Sequence, residues 1–513
     1  MRNVSTILLA CSVVSLGGCI ILFGPDDHDD EPSPGESSSS SGAGGSSGDG
    51  GPSCTTICGR ENHCSVSSCL TGIWGTRVAA SANQRVNGVA VASDKTVGIV
   101  GAYYGSTGFT IGGNDLQTAA PAEGFGAFLN GDTGAIEWAA DMSSLTGEQP
   151  REGHSIAIFD DVFWLAGTFS PTFMDQDLGL VSYNRSNKAV LNTVTIGREN
   201  PDDIVAIVGD DADVYTIGTL SMGTMSESFS CMNGTLLNDN GMFVMRFDKV
   251  GMCQWAQSFT GGAQPIRPTA IAATDSGVNG VWFTGTFYGS ISTGNSTMEV
   301  NAQSMSEEGF LMGRAADGMP LLSATLGPGV VPLAITADTK GIIYVAGQLY
   351  GSTAFKDDLQ TGETAAFVAA FETNNIKNAK WVTVYPGSSL IGGGAKATAV
   401  SVDDGNVYVA GVFSRSIEIP VGGGSETLDM PDANPFVARL DRTDGHTLAF
   451  HGFSGGGEVL NEAFPIHMSV AATGVIIAGT WTNNLDFSPP GGEPILLDAS
   501  SGTDAFVVWL DKH

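Results

Sequence analysis

One strand pattern, repeated seven times, constrains the fold of this chain more than any other feature. The clearest copy is GNVYVAGVF, residues 405–413, in which apolar residues alternate, reach a glycine, and are followed two positions later by a large apolar residue. A fixed unit that recurs every 51 to 68 residues indicates an array whose members bury their faces against one another. The seven glycines are Gly101, Gly167, Gly218, Gly285, Gly347, Gly411 and Gly479.

Each unit contains three further strand patterns around the glycine strand. An apolar strand such as ATAVSVD, residues 397–403, precedes it, and a third strand such as FVARLD, residues 436–441, follows a long Ser/Thr/Gly-rich connection. A fourth strand follows a turn, and we find no long helical periodicity in the body of the chain. We therefore predict an all-β fold, a seven-bladed β-propeller of four-stranded blades, because radial closure leaves few exposed strand edges. The predicted fourth strands contain Trp138, Val190, Trp255, Leu322, Trp381 and Phe450.

The seventh unit lacks a fourth strand after its third strand, FVVWLD, residues 506–511. The segment Ile73-Trp74-Gly75-Thr76 has the pattern of a fourth strand, yet no third strand precedes it. We predict that this N-terminal strand near Trp74 completes the last blade and closes the ring. The propeller would then span residues 73–513.

The charge of the chain restricts the partners that we expect. Lys and Arg number 22 against 54 Asp and Glu, so the formal net charge is -32. Such an excess of negative charge repels phosphate backbones and anionic bilayers, which disfavours nucleic-acid binding and docking to a membrane by charge. We expect a monomer.

The N-terminus predicts export. Arg2 precedes an apolar run, residues 7–16, and two glycines precede Cys19. The ending Leu16-Gly-Gly-Cys19 resembles the lipobox of bacterial lipoproteins. That resemblance implies a signal peptide over residues 1–18, acyl chains such as palmitate on Cys19, and a place at the outer membrane or cell surface. Residues 20–23 are also apolar, so an uncleaved anchor over residues 7–23 is the alternative.

Two segments separate Cys19 from the propeller. Residues 24–53 contain no large apolar side chain, so we expect residues 19–53 to form a disordered tether. Residues 54–72 are rich in cysteine, and an even, dense set in an exported chain predicts two disulfides of open connectivity. A zinc site is the alternative, although the spacings do not form C-x-x-C pairs. These cysteines are Cys54, Cys58, Cys64 and Cys69, which we place at the seam of the ring.

The remaining pair of cysteines, Cys231 and Cys253, lies in the third unit, where we predict a disulfide bond between them.

The repeat itself, A-x-x-D-x-x-G-N-V-Y-V-A-G-x-F followed by a third strand such as FVARLD, resembles the bacterial propeller repeats called SBBP. The order of lipobox, linker, cysteine cluster and propeller resembles that of myxobacterial surface lipoproteins. These resemblances imply an extracytoplasmic scaffold, and no catalytic residue follows from them.

Few residues suggest chemistry. The segment FLNGDTGAIEW, residues 128–138, resembles a motif of quinoprotein propellers, but that motif is a turn followed by a docking Trp, so we expect no quinone cofactor. We interpret the acids that follow the third strands as turn residues rather than metal ligands, and we expect no metal site. His467 lies in an apolar strand and is interpreted as a satisfied core residue. The turn residues are Asn130, Asn184, Asp248, Asp441 and Asp511.

Connection lengths give the one indication of where a ligand binds. The connections between second and third strands are long, and they all leave the ring at one face because alternate turns of an antiparallel blade lie at opposite ends. We expect the site on this long-loop face, since rigid scaffolds carry binding residues on long loops. The predicted function is a lipid-anchored, non-enzymatic binding or scaffolding module with a protein or glycan ligand. A hydrolase or lyase acting on polysaccharide, with a site built across blades, is the alternative.

Overall fold

A computed structural model describes residues 56–58 and 71–512 with short gaps. Within this described part every regular element is a strand, and no helix there is long and apolar enough to cross a membrane. The gaps are 79–82, 105–108, 117–121, 143–149, 160, 173–174, 197–202, 211–212, 221–228, 233–235, 238–240, 262–263, 275–279, 294–297, 303–305, 352, 356–363, 389–393, 423, 456–464, 483, 488–494 and 498–502.

The strands follow one another in chain order around the ring. Two strands precede the first blade, β1 (Thr56–Cys58) and β2 (Thr71–Val78). Blades 1 and 2 contain β3 (Asn83–Val91), β4 (Val97–Tyr104), β5 (Phe109–Ile111), β6 (Asn114–Leu116), β7 (Ala122–Leu129), β8 (Ile136–Asp141), β9 (Pro150–Phe159), β10 (Val162–Thr172), β11 (Asp175–Asn184) and β12 (Val190–Ile196). Blades 3 and 4 contain β13 (Asp203–Gly209), β14 (Asp213–Leu220), β15 (Phe229–Ser230), β16 (Leu236–Leu237), β17 (Gly241–Asp248), β18 (Cys253–Thr260), β19 (Arg267–Thr274), β20 (Gly280–Phe287), β21 (Ser290–Thr293), β22 (Met298–Asn301), β23 (Glu308–Ala315) and β24 (Pro320–Pro328). Blades 5 to 7 contain β25 (Val330–Ala337), β26 (Ile342–Tyr350), β27 (Thr364–Glu372), β28 (Trp381–Pro386), β29 (Gly394–Val402), β30 (Asn406–Val421), β31 (Gly424–Asp441), β32 (Thr447–Gly452), β33 (His467–Val470), β34 (Gly474–Trp481), β35 (Leu485–Asp486), β36 (Leu496–Leu497) and β37 (Asp504–Asp511).

The predicted seven-bladed β-propeller and its closure are confirmed. Each blade is an antiparallel sheet of four strands, and in blades 1 to 6 these strands follow in chain order, as β3-β4-β7-β8 do in blade 1. Blade 7 has the order β2-β37-β34-β33, so the N-terminal strand supplies its missing outer strand. Trp74 of β2 lies opposite Trp509 of β37, and their ring centroids are 6.1 Å apart.

The hydrophobic core lies between blades. The buried apolar side chains form seven clusters, and each cluster joins two neighbouring blades. The cluster that joins blade 7 to blade 1 packs Trp74 and Trp509 with Val97, Ile99 and Phe125. Each interface around the ring therefore has an apolar core of its own, and the seam between blades 7 and 1 is closed by hydrophobic burial like the others.

The repeated glycine has a steric cause. In blades 1 to 6 the innermost strand has a β-bulge opposite the repeated glycine of the second strand. The bulge moves a backbone carbonyl oxygen to the position that a Cβ on this glycine would occupy. A Cβ at Gly411 would lie 2.1 Å from the oxygen of Lys396, and one at Gly101 would lie 1.9 Å from that of Arg85. Only glycine fits at such a distance. The bulged residues are Asn87, His154, Val205, Thr269, Leu333 and Thr398.

The turn residues after the third strands hold their own backbone, as the sequence predicts. Asn130 Oδ1 accepts hydrogen bonds from the amides of Asp132 and Thr133, and Asp248 Oδ1 accepts from those of Val250 and Met252. These turns also receive the outer tryptophan of the preceding blade. Such hydrogen bonds run from Trp74 Nε1 to Gly131 O, from Trp255 Nε1 to Ala316 O and from Trp381 Nε1 to Arg442 O, at 2.8, 2.7 and 3.1 Å.

Parts of the long connections between second and third strands form hairpins that pack against the preceding blade. The β21–β22 hairpin of blade 4 pairs through β21 with β18, the outer strand of blade 3. The extended β30–β31 hairpin of blade 6 buries Ile417, Ile419 and Leu428 in the cluster shared with blade 5. Parts of the long connections therefore clamp one blade to the one before it.

The described part of the cysteine-rich segment, β1, lies at blade 6. Strand β1 pairs in parallel with β32, the outer strand of blade 6, and places Cys58 opposite His451. Cys231 and Cys253, predicted to bridge, form a disulfide. Cys19, Cys54, Cys64 and Cys69 lie outside the described residues, as do the signal peptide and the tether.

Candidate functional site

The innermost strands of the seven blades line a central cavity of about 690 Å³. This volume lies in the range of small-molecule sites. The cavity wall is built in levels, because equivalent residues of the seven strands lie at the same depth. The first level is at the long-loop face, where the innermost strands begin.

We call this first level the channel mouth. It consists of the residues two positions before each bulge, whose carbonyl oxygens face the repeated glycines of blades 1 to 6. Five of these six residues are charged, in a chain of which only 15% is charged. The channel mouth comprises Arg85, Glu152, Asp203, Arg267, Val331 and Lys396.

The second level is the bulged residues, several of which join neighbouring blades. Thr269 Oγ1 donates to Pro332 O of blade 5 at 2.8 Å, and Thr398 Oγ1 donates to Ile466 O of blade 7 at 2.7 Å. Asn87 Nδ2 donates to Gly153 O of blade 2 at 2.9 Å. These side chains hydrogen-bond to the backbone of the next blade, and the bonds fix the cavity wall in place.

The third level has one exceptional member. In six blades the residue after the bulge is Gly, Ser or Ala, namely Gly88, Ser155, Ala206, Ala270, Ala334 and Ala399. In blade 7 the corresponding residue of the wall is His467. A ring of aliphatic residues follows beneath this level: Val89, Ile156, Ile207, Ile271, Ile335, Val400 and Met468.

His467 is not the satisfied core residue that the sequence predicts. Its Nε2 is enclosed and has no hydrogen-bond partner among the described residues. Burial lowers the pKa of His467 to about 4. The imidazole is therefore neutral near pH 7, and it is the one large side chain in a level otherwise made of Gly, Ser and Ala.

The acidic side of the channel mouth lies on blades 2 and 3. Glu152 Oε1 accepts hydrogen bonds from Asn87 Nδ2 at 3.0 Å and from the Tyr104 hydroxyl at 3.3 Å. His154 Nε2 lies 3.5 Å from Asp203 Oδ1. That oxygen is enclosed and has no hydrogen-bond partner in the described part of the chain, while 43% of the Asp203 side chain is exposed. Burial, and secondarily the charge of Glu152, raise the pKa of Asp203, which His154 partly offsets.

Basic and aromatic side chains complete the rim. Lys396 is almost fully buried in the cavity wall, and Arg267 is 68% exposed and pairs with Glu307 at 3.8 Å. Tyr350 is 42% exposed, lines the cavity and donates its hydroxyl to Gln348 Oε1 at 2.7 Å. The rim thus combines both signs of charge with a partly exposed tyrosine.

The opposite, short-turn face carries a network that ties blades 5, 6 and 7 together. The Arg442 guanidinium binds the Asp338 carboxylate and donates to the Tyr344 hydroxyl at 3.1 Å. Lys512 Nζ lies 2.8 Å from Asp403 Oδ2. Asp338, Asp403, Arg442 and Lys512 line a second cavity of about 590 Å³, and these four charges pair with one another between neighbouring turns.

One group of potential metal ligands occurs among the described residues. Oxygen and nitrogen atoms of Asp441, Asp444 and His446 lie within 4.8 Å of one another. Asp441 Oδ1 accepts from the Thr443 amide, and Asp444 Oδ1 contacts His446 Nδ1 at 2.6 Å. The carboxylates stabilise the turn that the sequence predicts there.

Sequence reasoning did not identify Glu152, His154, Asp203 or His467 as a group. They belong to the weakest strand pattern of each unit and are far apart in the chain. A signal was nevertheless present: alignment of the seven first strands on their glycines places a histidine where the other units have small residues.

Comparison with known proteins identifies no family for this chain. No family model matches the chain, and no curated protein matches it. Among solved structures, the quinohemoprotein alcohol dehydrogenase of Pseudomonas putida HK5 is 9% identical, with a TM-score of 0.40, over 86% of this chain and 76% of that one. The quinohemoprotein alcohol dehydrogenase of Comamonas testosteroni is 10% identical, with a TM-score of 0.36, over 86% and 77%. Hydrazine synthase of Kuenenia stuttgartiensis is 8% identical, with a TM-score of 0.37, over 83% and 98%.

Proposed function

We propose that this protein is an exported, lipid-anchored β-propeller that binds a glycan or protein ligand at the channel mouth on its long-loop face. The observation that carries the proposal is the concentration of charged residues in a single ring above an open cavity. A rigid wall with a few polar groups at its entrance is the usual form of a ligand site. The lipobox-like Cys19 and the tether support a place at the cell surface.

A comparison of two exposed ion pairs on opposite faces tests the location of this site. Arg267 pairs with Glu307 at the channel mouth, and Lys95 pairs with Asp132 at 2.6 Å on the short-turn face. Exposed pairs add little stability, so neither Arg267→Ala nor Lys95→Ala should unfold the protein. We expect Arg267→Ala to weaken capture of the surface ligand about fivefold, since it removes a charge from the rim, and Lys95→Ala to leave it unchanged.

The measurement uses the full chain in detergent, a glycan array and a pull-down from the surface of the producing cell. Equal effects of the two variants would place binding elsewhere. No capture by either method would contradict the proposed function itself.

A second candidate function, a polysaccharide hydrolase or lyase, is favoured by one observation. Glu152 and Asp203 come from different blades, and burial raises the pKa of Asp203. Two carboxyl groups from different blades, one of them with a raised pKa, are the arrangement that general acid–base chemistry uses. Release of reducing ends or of unsaturated products from the captured glycan, lost in Asp203→Asn, would support the enzyme. Binding without any product supports the binder.

A further inference from the structure

We propose that the short-turn face of the propeller lies against a lipid bilayer, into which exposed apolar side chains of blades 2, 3 and 4 insert. The inference rests on the lipid anchor in the proposed function, and it adds the face and the residues that contact the membrane. It follows from where the exposed apolar side chains lie, where the chain enters the ring and how the lysines are distributed.

Most of the exposed apolar side chains lie in one arc of the ring. Ten large apolar side chains are exposed in the described part of the chain, and seven of them, between 39% and 68% exposed, belong to three consecutive blades. Apolar surface concentrated in this way marks contact with a partner or a membrane, whereas single exposed residues need no explanation. We call this group the apolar arc: Val190 and Leu191 of blade 2, Met232, Val250 and Met252 of blade 3, and Met319 and Leu322 of blade 4.

The apolar arc lies at the short-turn ends of the outer strands. Val190 and Leu191 begin β12, Met252 immediately precedes β18, and Met319 immediately precedes β24. Each outer strand begins at the short-turn face, because it follows the short turn after the third strand of its blade. The apolar arc therefore borders the short-turn face.

Contacts between neighbouring blades make the apolar arc continuous. A Cβ on Gly251 would lie 3.1 Å from Cβ of Asn192, so the turn of blade 3 packs on β12 of blade 2. A Cβ on Gly318 would lie 3.1 Å from Cδ2 of Trp255, so the turn of blade 4 packs on β18 of blade 3. The three blades thus present one connected edge.

A disulfide bond holds Met232 in the apolar arc. The bond between Cys231 and Cys253 ties the long connection of blade 3 to the start of β18, and the Met232 amide donates to Cys253 O at 3.0 Å. Gln254 Nε2 donates to Met232 Sδ at 3.7 Å and to Met252 O at 3.2 Å. Two exposed methionines are thereby held together, and their unbranched thioether side chains adapt to an irregular apolar partner such as lipid.

The chain enters the ring from the same face. Strand β1 is parallel to β32, which runs from the short-turn face towards the long-loop face, so the polypeptide reaches Thr56 from the short-turn side. Strand β1 lies on blade 6, three blades away from blade 3 in a ring of seven. A lipid on Cys19 and the apolar arc would therefore hold opposite sides of the short-turn face at the bilayer.

The anchor allows a weak contact to be sufficient. A tethered module meets its second binding surface at a high effective concentration, so a contact that would be too weak in free solution is made. Shallow insertion of a few apolar side chains is such a contact, and its strength grows with the apolar area that lipid covers.

Charge favours this face over the other but does not drive the contact. Seven of the nine lysines occupy short turns, where Lys95 pairs with Asp132 and Lys512 pairs with Asp403. The net charge of -32 nevertheless repels an anionic surface. The partner that fits is a lipid surface without net charge, met by apolar side chains. The seven lysines are Lys95, Lys188, Lys249, Lys340, Lys377, Lys380 and Lys512.

The test places the full chain in phosphatidylcholine vesicles with a photoactivated carbene reagent that is confined to the bilayer, and mass spectrometry locates the label along the chain. Leu496 is the matched control site, because it is 58% exposed but lies in the long connection of blade 7. We expect about tenfold more label on the apolar arc than on Leu496, since only side chains that enter the lipid boundary meet the reagent.

A double variant, Val250→Asp with Met252→Asp, tests whether the apolar arc inserts as a unit. Both side chains are more than half exposed, so the variant should fold, which circular dichroism checks. We expect the label on Leu191 and Met319 to fall about tenfold, because two carboxylates replace apolar groups at the lipid boundary. Leu496→Asp should leave the label on the apolar arc unchanged.

The inference is wrong if the vesicle-bound chain carries no label on the apolar arc, if Leu496 is labelled equally, or if the double variant keeps the label of the parent protein. Light scattering in detergent identifies the alternative of a second copy. A dimer that the double variant converts to a monomer, with an unlabelled apolar arc, would assign this edge to self-association and overturn the membrane contact.

Failure of the proposed function gives a different result. A full chain that stays outside the vesicles contradicts the lipid anchor, and the membrane contact falls with it. If the chain binds the vesicles and captures its ligand at the channel mouth while the apolar arc stays unlabelled, only the membrane contact is overturned.

Discussion

Gly411→Ala is expected to destabilise the propeller by about 3 kcal/mol, the cost of forcing an extra carbon into a packed interior. The new Cβ would lie 2.1 Å from the carbonyl oxygen of Lys396 and 2.8 Å from Cε1 of Phe436. The oxygen belongs to the bulged backbone of the innermost strand, so it cannot rotate away as a side chain would. Relief of the clash would require the bulge in β29 to shift together with Thr398 and its hydrogen bond to Ile466.

Gly479→Ala is the matched control, because the same strand pattern surrounds this glycine in blade 7. Its nearest obstacle is Cδ1 of Ile466 at 2.8 Å, the end of a flexible side chain. We expect a change within about 1 kcal/mol, since a small rotation makes room and alanine reduces the entropy of the unfolded chain. Urea unfolding followed by circular dichroism measures both variants. Equal losses at the two positions would show that the bulge is not the reason for the glycine.

Trp74→Ala is expected to cost about 3 to 5 kcal/mol, the usual range for a buried tryptophan. Trp74 packs against Trp509 in blade 7, and its ring covers Gly134 in a turn of blade 1. Its Nε1 donates to Gly131 O at 2.8 Å, while Thr76 Oγ1 of the same strand donates to Gly134 O at 2.7 Å. Loss of this side chain therefore weakens both the last blade and the interface that closes the ring.

The adjacent residue provides the control for closure. Ile73 is in the same strand but is 49% exposed, so Ile73→Thr keeps the β-branched side chain and should change stability by about 0.5 kcal/mol or less. Thermal unfolding of the two variants should differ clearly in midpoint. A midpoint for Trp74→Ala close to that of the parent protein would mean that the closing strand contributes little to the ring.

Much of the architecture was predictable because it rests on local pattern. The glycine strands and the third strands are buried on both faces, which requires apolar residues at nearly every position, and this pattern is visible in the sequence. The unmatched strand at Trp74 was recognisable because it resembles the other outer strands. The turn residues Asn130 and Asp248 were predictable since they bond to their own backbone.

The candidate site was less accessible from the sequence. The prediction placed binding on the long-loop face, yet stretches of those connections turn back as strands that clamp blades, as β21 does on β18. The polar groups at the cavity come from strand ends and bulges instead. His467 was interpreted as a core residue because an apolar strand surrounds it, and the central cavity is not visible in a linear pattern.

The sequence by itself determined the repeat, the number of blades and the strand that closes the ring, since each follows from alternation and spacing within one segment. Only the tertiary structure decided why the repeated glycine is a glycine and which residues meet above the cavity. The bulged carbonyl that excludes a Cβ at Gly411 belongs to another strand, and His154 and His467 are brought to one cavity by ring closure. Such contacts depend on distances between segments far apart in the chain, and no local pattern encodes them.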